Sequence, residues 1–345
     1  MNDLSPATRH PMNLEAAWYT SPAVFQSERR RIFWRAWAYV GPLGAVAEPG
    51  RYIAADIAGR GVIVLCGRDG TLRAFANVCR HRGARLLQPG QGRCGVIVCP
   101  YHKWGYADTG RLVQAPWFGR DPAIIPEDWP LTPAHVAVWR GLVFASFDPV
   151  ESLEAQLGDL PAAVADVPME SYAVAASHKV AFDANWKTYT DNFVEGYHIP
   201  GTHPAFHAAI DFEAFETTAH AGYVRMTAPP RAGLFYQGLW LWAWPNWTLS
   251  LLQGGMNVSR IDPLAVDRTE QHYDFYFGDG VEAAAQAQVV QGNLAVVRED
   301  IDICASTQAV YAAEAYTPGP LSARHEKGVQ YFQDRVRAAL AGAEP

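Results

Sequence analysis

The sequence predicts an α+β protein of two domains, an all-β module followed by a half in which helices pack on an antiparallel sheet. Three observations carry that expectation. The chain has 345 residues, enough for about two ordinary domains with their own cores. From about Ala36 to Pro149, Gly and Pro cut it into short β-branched and aromatic runs such as GVIVLCGRDGTLRAFANV, with a hairpin signal at Asp69-Gly70. Beyond a connection rich in Ala, Asp and Pro between Glu151 and Pro168, alternating runs from Gly222 to Phe277 precede a helical stripe. That stripe, Val290, Leu294, Val297, Ile301 and Cys304, repeats at steps of four and three and belongs on the sheet.

The remaining elements follow in order. Ser21 to Tyr39 reads as an amphipathic helix opening after Ser21-Pro22, with Val24, Phe25, Phe33 and Trp37 on its apolar face. SHKVAF is a strand, and NWKTYTDNFVEGYH is helical. Residues 232 to 259 carry no charge, but Pro245, Asn246, Gln237, Gln253 and a Gly-Gly pair argue against a membrane span and for two buried strands around Pro245-Asn246. No internal repeat is present.

Composition narrows the function classes. A charged fraction of 18% and a hydrophobic fraction of 49% belong to a folded globular protein. The net charge of -7, with ERRRIFWR the only basic cluster, excludes broad binding to nucleic acid. Five cysteines, an odd number, do not make a secreted disulfide framework. With no secretory signal at the N-terminus, the expected location is the cytoplasm.

Two of those cysteines sit beside histidines. CRH and CPYH give Cys79-x-His81, seventeen residues, then Cys99-x2-His102, so two loops each present one thiolate and one imidazole. A structural zinc also takes two cysteines and two histidines, but usually as a Cys pair and a His pair. Mixed pairs suit a [2Fe-2S] cluster with two cysteines on one iron and two histidines on the other. Cys66 and Cys94 fit no ligand position and read as structural. The second group is NWKTYTDNFVEGYHIPGTHPAFH, which places His198 and His203 five apart with Pro200-Gly201 between them. A helix end and a turn must bring them together. Two histidines and one carboxylate hold oxygen-activating iron(II) with positions left open. Asp300 is preferred to Asp302 as the carboxylate, because it lies three after Val297 and four before Cys304, at the edge of the buried stripe.

CRHRG followed by CPYHKWGY resembles the Rieske domain of the Rieske non-haem iron oxygenases, and Asn192, Glu195, Tyr197, His198 and His203 resemble that family's catalytic signature. The family commonly has glycine where this chain has Lys103. The resemblance implies a Rieske [2Fe-2S] domain at 36–150 and a helix-grip catalytic domain formed by 1–35 and 151–345. It implies Cys79, His81, Cys99 and His102 on the cluster, and His198, His203 and Asp300 on a mononuclear Fe(II). Glu195 stands where many members have a bridging aspartate, and with Asn192 it would support the ligands. A homotrimer in which one subunit's cluster serves its neighbour's iron is also implied. Lacking a GxGxxG fingerprint or a plant-type ferredoxin spacing, the chain needs a separate NAD(P)H-dependent reductase, with or without a ferredoxin.

The expected activity is that of a terminal oxygenase using dioxygen to hydroxylate or oxidatively demethylate a small organic molecule. Glu195, as in members resembling choline-, betaine- and carnitine-type monooxygenases, points to a methylated amine. An aromatic acid that is ring-hydroxylated or O-demethylated is the alternative substrate. Phe235, Tyr236, Trp240, Trp242, Trp244 and Trp247 are candidate pocket walls. Readings from other classes are a Rieske electron carrier without oxygenase activity, which leaves the second domain without a purpose, and a zinc-binding interaction protein.

Overall fold

The computed structural model describes residues 10–120, 123–231 and 235–341. They form two compact units, 33–156 and 10–32 together with 157–341. The limits of the first unit lie a few residues outside the expected 36 and 150. Gln156 explains the far one: its Oε1 accepts from the Trp37 N–H at 2.7 Å and its Nε2 donates to the Trp37 carbonyl at 2.9 Å.

The 33–156 unit is a seven-stranded sheet and a small three-stranded one. Its strands are β1 (Ala38–Pro42), β2 (Arg51–Ile57), β3 (Arg60–Cys66), β4 (Leu72–Ala76), β5 (Gly90–Arg93), β6 (Ile97–Val98), β7 (Gly105–Tyr106), β8 (Leu112–Gln114), β9 (Pro133–Trp139) and β10 (Leu142–Ser146). The large sheet runs β1-β10-β9-β4-β3-β2-β5 and the small one β6-β7-β8. Asp69-Gly70 makes the β3–β4 turn, where Gly70 takes φ 76°, a left-handed value that costs glycine little. Ile63, Leu65, Phe75, Trp104, Tyr106 and Leu112 form one core with Cys79 and Cys99. The cysteine loops therefore rest on packed side chains.

The second unit opens with α1 (Ala16–Thr20) and α2 (Pro22–Glu28), capped by the Ser21 side chain and extended by a π turn to Phe33. The helix expected as far as Tyr39 thus ends early. Trp37 lies outside any helix or strand and Ala38 already pairs in β1, because the apolar run YVGP continues a sheet edge rather than a helix face. After α3 (Leu153–Leu157) and α4 (Leu160–Ala163) come β11 (Ala173–Phe182), α5 (Trp186–Phe193), α6 (Ile199–Thr202), α7 (Pro204–Ala209), and β12 (Glu216–His220) to β17 (Arg268–Phe277). Between the last two strands named lie β13 (Tyr223–Thr227), β14 (Tyr236–Ala243), β15 (Trp247–Leu252) and β16 (Gly255–Ala265). The sheet is antiparallel in the order β11-β17-β16-β15-β14-β13-β12, and α8 (Ala283–Ala312) and α9 (Lys327–Leu340) complete the helix-grip arrangement. The uncharged stretch forms β14 and β15 with Pro245-Asn246 in the turn. No helix among the described residues is long and apolar enough to cross a membrane.

Buried polar contacts tie the N-terminal helices to α5. Glu28 Oε1 lies 2.5 Å from Lys187 Nζ, with both side chains fully buried, and Trp186 Nε1 donates to Glu28 Oε2 at 2.8 Å. Asp191 accepts from the Tyr19 hydroxyl at 2.6 Å and from Gln333 Nε2 at 3.1 Å. Burial pushes Glu28 up and pulls Lys187 down even though each faces the other, so the pair orients α5 rather than adding much net stability.

Candidate metal centres

The first centre lies on two loops, one after β4 and one between β6 and β7. Each is a single turn closed on the carbonyl of its cysteine: Gly83 N–H donates to Cys79 at 3.0 Å, and Lys103 N–H to Cys99 at 3.1 Å. Both closing residues are left-handed, with φ 72° and 59°. Glycine reaches that region freely and lysine at a steric cost. The departure at Lys103 is therefore a backbone matter, and its exposed ammonium curls back to the Pro100 carbonyl at 3.3 Å.

Cys79 and Cys99 are buried. The His81 and His102 rings lie 4.6 Å apart, and His81 stacks on Trp104 at 4.9 Å. His81 Nδ1 is buried and has no hydrogen-bond partner. Burial, helped by His102 and Arg82, pulls the His81 pKa down and favours the neutral imidazole that binds metal. Burial raises the Cys99 thiol against backbone N–H groups of Tyr101 and His102 that favour its thiolate. The Tyr106 hydroxyl accepts from Arg80 N–H at 3.1 Å, which leaves its proton for Cys79 Sγ at 3.4 Å. Two thiols, two imidazoles and an orphaned ring nitrogen fit a cluster that takes two sulfur and two nitrogen ligands.

The second centre is built from the end of α5 and from α8. Asn185 caps α5, accepting from Lys187 N–H at 3.0 Å, and the helix stops at Phe193, five residues short of the expected end, because a Val194-Glu195-Gly196 turn follows. His198 precedes the one-turn α6, whose Pro200 needs no N–H partner, and His203 separates α6 from α7. That short helix brings the two imidazoles to 5.1 Å between ring centres. His203 Nε2 lies 2.9 Å from Asp300 Oδ1 and His198 Nε2 3.5 Å from the same oxygen. The potential ligand atoms of His198, His203 and Asp300 all lie within 4.8 Å of one another. Asn192 Nδ2 donates to Asp300 Oδ1 at 2.7 Å, while Asp302 is exposed.

Each histidine has a carboxylate behind it. Glu195 Oε1 meets His198 Nδ1 at 2.5 Å, and Glu195 Oε2 accepts from the backbone N–H of Tyr197 and His198. Glu299 Oε2 meets His203 Nδ1 at 2.6 Å. Both Nε2 atoms are thereby left as acceptors facing Asp300, the arrangement that orients ligand imidazoles. Burial lowers the His203 pKa, but Asp300 and Glu299 outweigh it and hold the ring above its ordinary value. Such a donor set calls for a positive charge at its centre, and a divalent cation fits it. Glu299 was not anticipated from sequence; its position next to Asp300 was the only signal. His207 faces Phe212 at 5.3 Å and is not part of the grouping.

A cavity opens from this site, lined by Tyr189, Phe206, Phe215, Met226, Tyr236 and Trp240 among others. Of the six aromatic residues expected as walls, only Tyr236 and Trp240 line it. Trp242 and Trp247 are fully buried core residues: Trp247 pairs with Ala243 on the face opposite Thr248 and Ser250, while Trp242, on the face of Trp240, is packed against Phe332 of α9 at 5.3 Å. Phe235 stacks behind Tyr236 at 4.4 Å, and Trp244 carries the Arg335 guanidinium at 4.6 Å.

Comparison with known proteins agrees with both centres. Residues 36–130 match the Rieske [2Fe-2S] domain family, and 169–236 with 213–342 match the catalytic domain of ring hydroxylating alpha subunits. The chain is 30% identical over 342 residues to the carnitine monooxygenase oxygenase subunit of Escherichia coli K12, covering 92% of this chain and 91% of that one. It is 28% identical to the chloroplastic choline monooxygenase of Spinacia oleracea, covering 94% and 77%. Among solved structures, a quaternary ammonium Rieske monooxygenase in complex with L-carnitine superposes with a TM-score of 0.86 at 28% identity, covering 96% of each chain. Naphthalene 1,2-dioxygenase from a Rhodococcus species shares the fold, with a TM-score of 0.81 at 22% identity over 96% of this chain and 95% of that one.

Proposed function

The chain belongs to the Rieske non-haem iron oxygenases as a terminal oxygenase alpha subunit, and from that premise we propose that it hydroxylates or oxidatively demethylates a methylated ammonium compound. The observation that carries this reading is the cavity beside His198, His203 and Asp300. Its walls include Phe206, Phe215, Tyr236 and Trp240, and no Lys or Arg is among its described lining residues. Aromatic faces attract a quaternary ammonium, and an uncharged aromatic wall does not repel one. The relatives named for carnitine and choline support the same substrate class.

In this reading Cys79, His81, Cys99 and His102 hold the [2Fe-2S] cluster, and His198, His203 and Asp300 hold the mononuclear iron. When bound, the iron supplies dioxygen activation and the cluster supplies electrons one at a time. The residues do the rest. Glu195 and Glu299 keep the Nδ1 protons of the two imidazoles, so that each Nε2 carries a lone pair, and Asn192 fixes the Asp300 carboxylate. The apolar walls keep bulk water from the substrate. The net reaction inserts one atom of dioxygen into a C–H bond and reduces the other to water with two electrons and two protons.

The electrons come from a separate NAD(P)H-dependent reductase. The assembly is a homotrimer in which the cluster of one subunit serves its neighbour, a reading supported by an exposed aromatic rim beside the cluster loops, with Tyr101 59% and Trp117 89% exposed. The five unpaired cysteines support a cytoplasmic location. Iron and sulfide counts on anaerobically purified protein, followed by reductase-dependent oxygen uptake and product analysis across methylated amines and aromatic acids, test the proposal. Turnover of aromatic acids alone would refute it.

A further inference from the structure

The far side of the cavity is polar where a sheet interior is ordinarily aliphatic. Met226 pairs with Trp240, Trp240 with Ser250, and Ser250 with Asn257, a cross-strand row over β13 to β16 that lines the cavity together with Thr248. Thr248 is answered by Ser259, hydroxyl to hydroxyl at 2.6 Å. Asn257 is not: it is 2% exposed and its Oδ1 is buried with no hydrogen-bond partner. On α8 the same thing happens. Asn293, 3% exposed, donates from Nδ2 to the Tyr236 hydroxyl at 2.5 Å while its Oδ1 has no partner. An unsatisfied buried acceptor is costly, and two on one cavity are a feature that folding alone does not require.

Their placement relative to the iron ligands gives them a use. Asn293 precedes Asp300 by seven residues on one face of α8, two turns or about 10 Å along the axis. Phe206, Tyr236 and Trp240 line the same cavity and meet with ring centres 5.3 to 5.6 Å apart, a suitable seat for a cationic head. Asn293 touches this aromatic group through the Tyr236 hydroxyl and Asn257 lines the same cavity, so both neutral amides can meet the tail of a substrate whose head is seated there. No cation accompanies them among the described lining residues. Arg225 is next to Met226 on β13 and so faces the other side of the sheet, and residues 232–234 are Ala-Gly-Leu. Burying a carboxylate there, with Glu195 and Asp300 already lining the cavity and no Lys or Arg to pair with it, is unfavourable.

We propose that Asn257 and Asn293 form a tail subsite that selects methylated ammonium compounds whose far end carries a neutral hydrogen-bond donor, such as a hydroxyl, over those ending in a carboxylate. The inference rests on the methylated-ammonium reading above and goes further by fixing the tail.

The test uses holoenzyme with a surrogate reductase and three probes: a trimethylammonium alcohol, the trimethylammonium carboxylate of equal chain length, and tetramethylammonium, which has no tail. Calorimetric binding of the same probes to the anaerobic holoenzyme runs in parallel. The expected result is kcat/KM for the alcohol at least about tenfold above both others, the value of one good hydrogen bond to a buried acceptor, and the same order in affinity. Asn257→Leu and Asn293→Leu should each bring the ratio of alcohol to tetramethylammonium towards one. A carboxylate that is used or bound as well as the alcohol overturns the subsite and leaves the methylated-ammonium reading standing. An unchanged ratio in both folded variants also overturns it. If no methylated ammonium compound is turned over or bound, both readings fall together. Should the leucine variants not fold, the probe comparison on the unaltered enzyme decides.

Discussion

Removing the Glu299 carboxylate should loosen the mononuclear iron without touching a ligand. Glu299 Oε2 sits 2.6 Å from His203 Nδ1, a charge-assisted contact, while His203 itself is 1% exposed. Loss of a carboxylate behind a ligand histidine lowers metal affinity about 10- to 100-fold. Glu299 is 48% exposed, so water can take over the Nδ1 proton after Glu299→Ala, and the loss should fall near the lower limit, about tenfold or 1.4 kcal/mol. Glu195 offers the contrast. Its side chain is 9% exposed, water cannot replace it as readily, and it also accepts from two backbone N–H groups. Glu195→Gln should therefore approach the upper limit. The assay is anaerobic Fe(II) competition against a chromogenic chelator, with the visible spectrum of the cluster as a control for folding. Glu299→Ala binding iron within about twofold of the unaltered protein, or more weakly than Glu195→Gln, would refute the reasoning.

Three further outcomes follow from backbone and burial. Lys103→Gly relieves a left-handed lysine at φ 59° and should raise the stability of the cluster-bearing unit by about 0.5–1 kcal/mol, whereas Lys103→Val should lower it; thermal denaturation read at the cluster absorbance decides. Glu28→Ala strips the fully buried Lys187 of its carboxylate partner, and should cost about 3–5 kcal/mol in denaturant titration, much of which replacing both residues by Met should recover. Asp191 is pushed up to about 7, first by burial, from an ordinary 3.8. The native state then holds the proton more tightly than the unfolded chain, so this group's contribution is full below 3.8, declines as pH rises by about 1.4 kcal/mol per unit, and is gone above about 7. The stability of the unaltered protein relative to Asp191→Asn should therefore fall as pH rises from about 4 to about 7, and parallel curves would refute the assignment.

What the sequence made legible was the chemistry carried by fixed short spacings. Cys79-x-His81 and Cys99-x2-His102 announce a mixed ligand set because each pair lies within one turn, where sequence distance and spatial distance nearly coincide. The phase of α8 was readable for the same reason: Asp300 lies three and four residues from buried neighbours. What required three dimensions were contacts with no sequence signal. The Glu28–Lys187 pair joins residues 159 apart in the chain, and only the folded contact of Glu28 with Trp186 and Lys187 of α5 turns its carboxylate inward. Trp242 and Trp247 are as aromatic as Trp240, but Trp247 faces the other side of the sheet and Trp242 is covered by Phe332 of α9, so only Trp240 of the three reaches the cavity. The helix expected to Tyr39 failed where a strand edge competed for the same apolar residues.

The division of labour between the ends of α8 gives these details a common cause. A helix presents one face every three or four residues, so the buried stripe that contains Val290, Leu294 and Val297 can also carry Asn293 and Asp300. On the proposed assignment the carboxylate would hold the metal and the amide would meet the substrate tail, with their separation along α8 fixed by helical rise rather than by loop conformation. The sheet answers in kind, since Trp240, Ser250 and Asn257 are held in register by backbone pairing. If the proposed subsite holds, exchanging the side chains of Asn257 and Asn293 should change the preferred tail chemistry while leaving His198, His203 and Asp300 and their supporting carboxylates in place.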